Sequence, residues 1–158
     1  MRTLHPFCEA LIEKRKEAGI PEYASLPPEG ARELMNQVMA AAPKPMDLPE
    51  LASVADQQIT GPHGPITVRR FTPKGEIKGT VVYFHGGGWV LGDIDTGDAM
   101  CRRWAGWAGV EVVSVDYRLA PENPFPQPLD DCYAGLEWAA ANCPAPYFVA
   151  GDSAGGNL

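Results

Sequence analysis

The sequence lacks several features that would assign its class by themselves. Its four cysteines form no Cys-x-x-Cys pair, so no zinc or thiol-redox motif is visible. A formal net charge of −7 argues against a nucleic-acid-binding protein, which would carry a basic stripe. No stretch approaches the roughly 20 apolar residues that span a membrane. The N-terminus has no uninterrupted apolar core of signal-peptide length.

The cysteines and the composition indicate a globular protein of the cytoplasm. Three of the cysteines lie in segments with helical periodicity, where a cysteine is usually a small buried hydrophobic residue. We therefore expect reduced thiols in a cytoplasmic protein, with neither a nucleic acid nor a membrane as its partner. The chain of 158 residues is 45% hydrophobic and 21% charged, as in a folded domain. Its 16 prolines and 17 glycines cluster between periodic segments and mark loops.

Residues 1–45 are predicted to form a helical cap that is separate from the rest. Apolar residues recur at helical spacing over 4–12 and again over 31–39. Pro28 stands where a proline suits the start of the second helix. Residues 42–49 contain three prolines and have the composition of a linker.

Residues 46–158 have the pattern of an α/β fold. Residues 57–60 and 66–71 flank a Gly-Pro turn cluster and predict a short hairpin. Helical patterns then alternate with three continuous apolar runs, which predict strands buried on both faces: residues 80–84, 110–115 and 147–150. This alternation predicts a mostly parallel sheet flanked by helices.

A serine between glycines follows the last of these strands, in Gly-Asp-Ser-Ala-Gly-Gly-Asn at 151–157. A serine hydroxyl is a weak nucleophile, so it has to be presented on an accessible turn and deprotonated by a base. In Gly-x-Ser-x-Gly, Gly151 and Gly155 keep side chains out of a strained strand-to-helix turn, and Ser153 protrudes at the carboxyl end of the sheet. The motif gains weight from a second block upstream.

That second block is His-Gly-Gly-Gly-Trp at 85–89, directly after the first buried strand. Acyl transfer places negative charge on a carbonyl oxygen, and each preorganised N–H donor there contributes roughly 3–4 kcal/mol. Glycines let the backbone approach that oxygen closely. We predict that the N–H groups of Gly86, Gly87 and Ala154 form this oxyanion hole. Two residues of the block are expected to support the loop: His85 and Gly88.

With Asp-Tyr-Arg-Leu-Ala-Pro-Glu at 116–122, the two blocks resemble the bacterial hormone-sensitive-lipase-like carboxylesterases over nearly the whole chain. The resemblance implies an α/β-hydrolase fold of which this chain is about half. Residues 1–45 would be the cap and 46–158 the N-terminal part of the catalytic domain. It also implies a serine esterase for small acyl esters, with Ser153 as the nucleophile and neither a metal nor an organic cofactor.

A triad Asp and His cannot be assigned in this sequence. In this fold both follow the nucleophile along the chain, and only residues 154–158 follow Ser153. The three histidines have other expected roles: His85 in the oxyanion loop, His63 exposed in a Gly-Pro turn, and His5 at the start of the first helix.

Charged residues near the motifs are interpreted as structural. Asp152 neighbours the nucleophile, but adjacent residues on a turn point apart, so it is expected to be a poor orienter of a base. Asp116, Arg118 and Glu122 follow the second buried strand and are expected to form an ion-pair network.

The sequence leaves three interpretations open. The first is an esterase completed by its C-terminal half, expected as a second chain, which supplies the triad Asp and His and covers the strand at 147–150. On this interpretation the chain alone is inactive. The second is a non-catalytic protein that binds a small ligand on the same scaffold, and the third is an inactive truncated product. A homo-oligomer is compatible with each.

Overall fold

A computed structural model describes residues 4–43 and 45–158, so residues 1–3 and 44 of the predicted cap lie outside the described residues. There are five helices and five strands in this part of the chain, in the order α1 (Pro6–Glu17), α2 (Pro28–Ala41), β1 (Ser53–Gly61), β2 (Gly64–Thr72), β3 (Thr80–Phe84), α3 (Asp98–Arg103), β4 (Glu111–Asp116), α4 (Gln127–Asn142), β5 (Tyr147–Gly151) and α5 (Ala154–Asn157). A 3₁₀ turn at Tyr23–Ser25 precedes α2, and a π-helical turn at Trp104–Ala108 extends α3. Over these residues, no helix combines the length and hydropathy needed to cross a bilayer.

The strands form one five-stranded sheet in the order β1-β2-β4-β3-β5. β3 pairs with both β4 and β5 in parallel, as predicted for the region after residue 80. The predicted hairpin is present and longer than expected, and its second strand pairs with β4 in antiparallel orientation. The described sheet is therefore mixed: its two parallel pairs lie in the region after residue 80, and its two antiparallel pairs both involve the hairpin strand β2.

β3 and β4 are buried on both faces. Val82 and Phe84 point to the side where α4 packs, while Tyr83 between them packs with Cys101 of α3 on the other side. In β4, Val113 packs on the α4 side with Val82 and Phe84, and Val112 packs on the α3 side with Tyr83. Such two-sided burial is what a continuous apolar run predicts.

β5 has apolar side chains that the described residues leave uncovered, as the sequence predicted for residues 147–150. Its apolar side chains are partly exposed, at 39% for Tyr147, 52% for Phe148 and 57% for Val149. β5 lies at the end of the described sheet and pairs only with β3, so one long side of the strand has no neighbour among the described residues. An apolar edge strand of this kind is a pairing and aggregation hazard.

All four cysteines are free thiols. Cys101, Cys132 and Cys143 are buried, and burial raises the pKa of Cys101 to about 12 and that of Cys143 to about 11. Burial also raises the pKa of Cys132. Cys8 is exposed on α1, so it is not the buried hydrophobic residue that its helical position predicts.

The predicted ion-pair network after β4 does not form among its own members. Arg118 pairs with Asp131 of α4 at 2.6 Å, and Asp131 also accepts the Arg118 backbone N–H at 3.0 Å. Glu122 pairs with Arg32 of α2 at 2.7 Å. Asp116 is partly buried, and desolvation raises its pKa. Long-range partners therefore replace the local ones that the sequence suggested.

Asp131 and Asp130 are neighbours on α4 with opposite environments, which allows a matched test. Asp131 is 1% exposed, so Asp131→Ala leaves Arg118 without its carboxylate, and we expect a loss of about 3 kcal/mol in unfolding free energy. The side chain of Asp130 is 38% exposed and pairs with His63. Asp130→Ala should therefore cost less than about 1 kcal/mol. Urea unfolding of both variants measures the difference, and equal losses would contradict it.

Candidate active site

Ser153 lies on a sharp turn between β5 and α5. It is exposed and has φ +51° and ψ −117°, a left-handed conformation that costs a non-glycine residue about 1–3 kcal/mol. A Cβ on Gly151 would collide with the backbone of Gly155, and a Cβ on Gly155 would collide with the carbonyl of Phe84. The two glycines therefore permit the turn and its close approach to the end of β3.

The His85 loop begins at the same edge of the sheet, because β3 and β5 run in parallel with Phe84 opposite Gly151. The His85 side chain is fully buried. Its ring stacks on Tyr117 with centroids 4.3 Å apart, and its Nδ1 lies 2.8 Å from Gly86 O. The Tyr117 hydroxyl donates to His85 O at 2.6 Å. His85 is thus packed inside the loop and has no access to solvent.

The loop after His85 has an unusual backbone. Gly87, Gly88 and Trp89 have φ of +136°, +62° and +63°, so three consecutive residues lie in a region that glycine alone adopts readily. The N–H groups of Val90 and Leu91 donate to Gly87 O at 3.2 and 2.9 Å. These bonds turn the chain back on itself immediately after the glycines.

Asp152 joins this loop to the serine turn. Its Oδ1 accepts a hydrogen bond from the Tyr83 hydroxyl at 2.5 Å and a second from the Gly86 N–H at 3.1 Å. Burial raises the pKa of the Tyr83 phenol, and the bond to Asp152 raises it further. The sequence interpretation weighed Asp152 only as an orienter of a base and missed this role. The sequence signal for this role is Tyr83 itself, because a phenol in a buried, mostly apolar strand needs a hydrogen-bond partner.

The same contact bears on the predicted oxyanion hole. The Gly86 N–H is engaged by Asp152 in this structure, so the prediction of Gly86 as a donor to substrate is not supported. Within residues 4–43 and 45–158, no protein acceptor is found for the N–H groups of Gly87, Gly88 and Ala154. These three groups are free to bind an oxygen atom.

No histidine or carboxylate in the described part of the chain hydrogen-bonds to the Ser153 hydroxyl. His63 is exposed, as predicted, and its Nε2 lies 2.7 Å from Asp130 Oδ2, so this histidine is paired with a carboxylate. His5 accepts from the Phe7 N–H and caps α1. The same described residues contain no cluster of three or more His, Cys, Asp or Glu side chains that could hold a metal ion.

An apolar cavity of about 500 Å³ lies between the His85 loop and α5. Trp89 contributes one wall, Phe125 and Leu129 a second, and Asn157 and Leu158 a third. The lining is mostly hydrophobic, which suits an uncharged organic group of modest size.

A serine on a strand–turn–helix elbow, beside a glycine loop at the end of the adjacent strand, is the arrangement that defines α/β hydrolases. The profile of a family with the α/β-hydrolase fold matches residues 81–158. The chain belongs to that family and, within it, to the hormone-sensitive-lipase-like group that its three motifs predicted.

Relatives with known names and structures agree with this assignment. Esterase LipI of Mycobacterium tuberculosis is 43% identical over 137 residues, which are 80% of this chain and 42% of LipI. Carboxylic ester hydrolase LipN of the same organism is 46% identical over 113 residues, 66% of this chain and 30% of LipN. The structure of an ester hydrolase from the metagenome of Lake Arreo superposes with a TM-score of 0.85 at 37% identity, covering 97% of this chain and 52% of that one. The chain thus spans about half or less of the length of these relatives.

The Asp152 contacts predict a graded effect of substitution on stability. Asp152→Ala leaves the buried Tyr83 hydroxyl and the Gly86 N–H without an acceptor, and we expect a loss of about 1–3 kcal/mol in unfolding free energy. Asp152→Asn keeps an oxygen that can accept both bonds, so its loss should be smaller. Urea unfolding compares the two variants. An Asn variant as unstable as the Ala variant would show that charge, and not the hydrogen bonds, holds the loops together.

Proposed function

We propose that this chain carries the nucleophile and the oxyanion loop of a carboxylic ester hydrolase acting on small acyl esters. The observation that carries the proposal is the strained, exposed Ser153 held beside a glycine loop by the Asp152 carboxylate. Strain at an exposed nucleophile of this kind is typical of a functional site. The esterase names of the relatives support the same chemistry.

The reaction we propose is acyl transfer in two steps. Ser153 Oγ attacks the ester carbonyl carbon while a base takes its proton, and the carbonyl oxygen becomes an oxyanion. The N–H groups of Gly87 and Ala154 donate to that oxygen, and Gly88 replaces Gly86 as the third donor because its N–H is free. Collapse of the tetrahedral intermediate expels the alcohol, which receives the proton. Water then releases the acid from the acyl-serine.

The base and its orienting acid are proposed to come from a C-terminal segment. No histidine among the described residues hydrogen-bonds to the Ser153 hydroxyl, and the structurally related esterase is about twice as long as the matched region. In α/β hydrolases the acid and the histidine follow the serine along the chain. The same segment would cover the exposed side of β5 and complete the catalytic domain that begins at residue 46.

Two further features complete the proposal. Residues 1–45 act as a cap, since α1 and α2 are helical, outside the sheet, and α2 contacts the loops beside the site. The apolar cavity between Trp89 and Leu158 accepts a short apolar part of the ester.

A cytoplasmic location stays a prediction from the thiol content.

Replacing the nucleophile tests the assignment in the enzyme completed by its C-terminal segment. Ser153→Ala should abolish hydrolysis of a short activated ester, and a fluorophosphonate should label Ser153 in the unchanged protein. Ser25→Ala is the control, because that serine is on an exposed turn and its hydroxyl bonds only Glu22 O, at 2.7 Å. Labelling of another residue with Ser153 unmodified would contradict the proposal. Specific binding of esters without turnover or labelling would instead favour a non-catalytic binding protein.

The origin of the base is tested by adding the segment. Residues 1–158 alone should show no appreciable turnover, because oxyanion donors without a base leave only a residual rate. Turnover should return when a C-terminal segment that carries an Asp and a His is supplied, either fused or as a second chain. Ester hydrolysis with and without the segment is the measurement. Robust turnover by a preparation that mass spectrometry shows to contain only residues 1–158 would place the base within this chain.

A further inference from the structure

The guanidinium group of Arg32, on α2, contacts two loops that flank the candidate active site. Its Nε donates to Val90 O at 2.8 Å and its Nη2 donates to Ala120 O at 2.9 Å. Its Nη1 and Nη2 also donate to the two carboxylate oxygens of Glu122, at 2.9 and 2.7 Å. One side chain thus binds the end of the oxyanion loop and the loop that follows β4.

The bidentate pair with Glu122 fixes the orientation of the guanidinium group. A planar guanidinium that meets a carboxylate with two parallel bonds cannot rotate freely, so its remaining N–H groups have defined directions. Here those groups face the carbonyl oxygens of Val90 and Ala120. A lysine ammonium has no planar fork and could not hold these three partners in the same geometry.

The backbone that Arg32 holds is the strained part of the oxyanion loop. Trp89 has φ +63°, which a residue with a side chain rarely adopts, and it lies between Gly88 and the bound carbonyl of Val90. The Ala120 N–H donates to Trp89 O at 2.8 Å, and the Ala120 carbonyl oxygen accepts from Arg32. Ala120 therefore links the strained residue to Arg32. Strained backbone persists only where surrounding contacts hold it.

Arg32 is also the point at which the N-terminal helices are tied to the rest of the fold. Over the described residues 4–43, every hydrogen bond to a residue beyond this segment is donated by the Arg32 side chain. The other side-chain bonds of the segment are internal, such as the bond from Gln37 to Glu33. A change at Arg32 therefore removes the hydrogen bonds between this segment and the rest of the described chain without altering any other residue.

We propose that Arg32 is a positioning residue of the esterase site, which holds the Trp89–Val90 backbone so that the Gly87 and Gly88 N–H groups point at the developing oxyanion. The inference rests on the proposed function, and it makes the N-terminal segment a structural part of the oxyanion loop. The cap then affects the chemical step itself and not only the entry of substrate.

The kinetic test compares two arginines in the completed enzyme. Arg32→Met should lower kcat about 10- to 100-fold with KM changed less than about threefold, because misplaced oxyanion donors weaken transition-state binding more than substrate binding. The loss should be the same for short and longer acyl chains. Arg103→Met is the matched control, since Arg103 pairs only with Asp47, at 3.3 Å, and contacts Trp107, away from the loop. It should keep kcat within about twofold.

Two milder variants and a readout without turnover complete the test. Arg32→Lys and Glu122→Gln should each show a smaller kcat loss than Arg32→Met. Amide hydrogen exchange, followed by mass spectrometry on the peptide covering residues 86–92, should speed up in Arg32→Met and not in Arg103→Met.

The possible outcomes separate the two proposals. An active parent enzyme whose kcat is unchanged by Arg32→Met, or a rise in KM alone that grows with acyl length, would overturn the positioning role. If the parent enzyme does not hydrolyse esters, the proposed function fails, and exchange at residues 86–92 still decides whether Arg32 holds the loop. If Arg32→Met does not fold, the Lys and Gln variants decide by the same measurements.

Discussion

One carboxylate oxygen, Asp152 Oδ1, connects the two parts of the candidate site. Parallel pairing of β3 with β5 brings the ends of both strands to one edge of the sheet, but pairing alone does not fix how the following loops face each other. The carboxylate does so by accepting from Gly86 on one loop while it sits next to Ser153 on the other. The Tyr83 hydroxyl below it partly neutralises the charge, so that a carboxylate can lie close to where an anion is proposed to form.

Backbone strain in the described chain is concentrated at this edge. Trp89 and Ser153 are its two residues with a side chain and positive φ, one in each loop. Each costs about 1–3 kcal/mol and needs rigid surroundings. The Ser153 turn is held by the close approach of Gly155 to the end of β3. Trp89 is held by two hydrogen bonds: the Ala120 N–H donates to Trp89 O, and Arg32 Nε donates to Val90 O. Contacts with the sheet and with α2 thus offset the free-energy cost of the strained backbone at Trp89 and Ser153.

The sequence predicts features that depend on local pattern, and it misses those that depend on contacts between distant residues. The apolar runs located β3 and β4, and the glycines located both loops, because strand burial and tight turns have direct signatures in composition. The involvement of Gly86 with Asp152, 66 positions away, has no such signature. The pairing of Arg32 with Glu122 has no such signature either, and the sequence analysis grouped Glu122 with the nearby Arg118 instead. β5 has the composition of an inner strand, so the sequence also predicted that residues 147–150 need a cover which the preceding residues do not supply.

The uneven environment of the cysteines gives the molecule a built-in attachment point. Three thiols are buried, and their raised pKa values keep them protonated and unreactive at neutral pH, whereas Cys8 is exposed on α1. A maleimide dye would therefore attach to α1 and leave the sheet unmodified. Its fluorescence would report on the environment of that helix in the unaltered sequence, without an engineered cysteine and without disturbing Ser153 or the loops beside it.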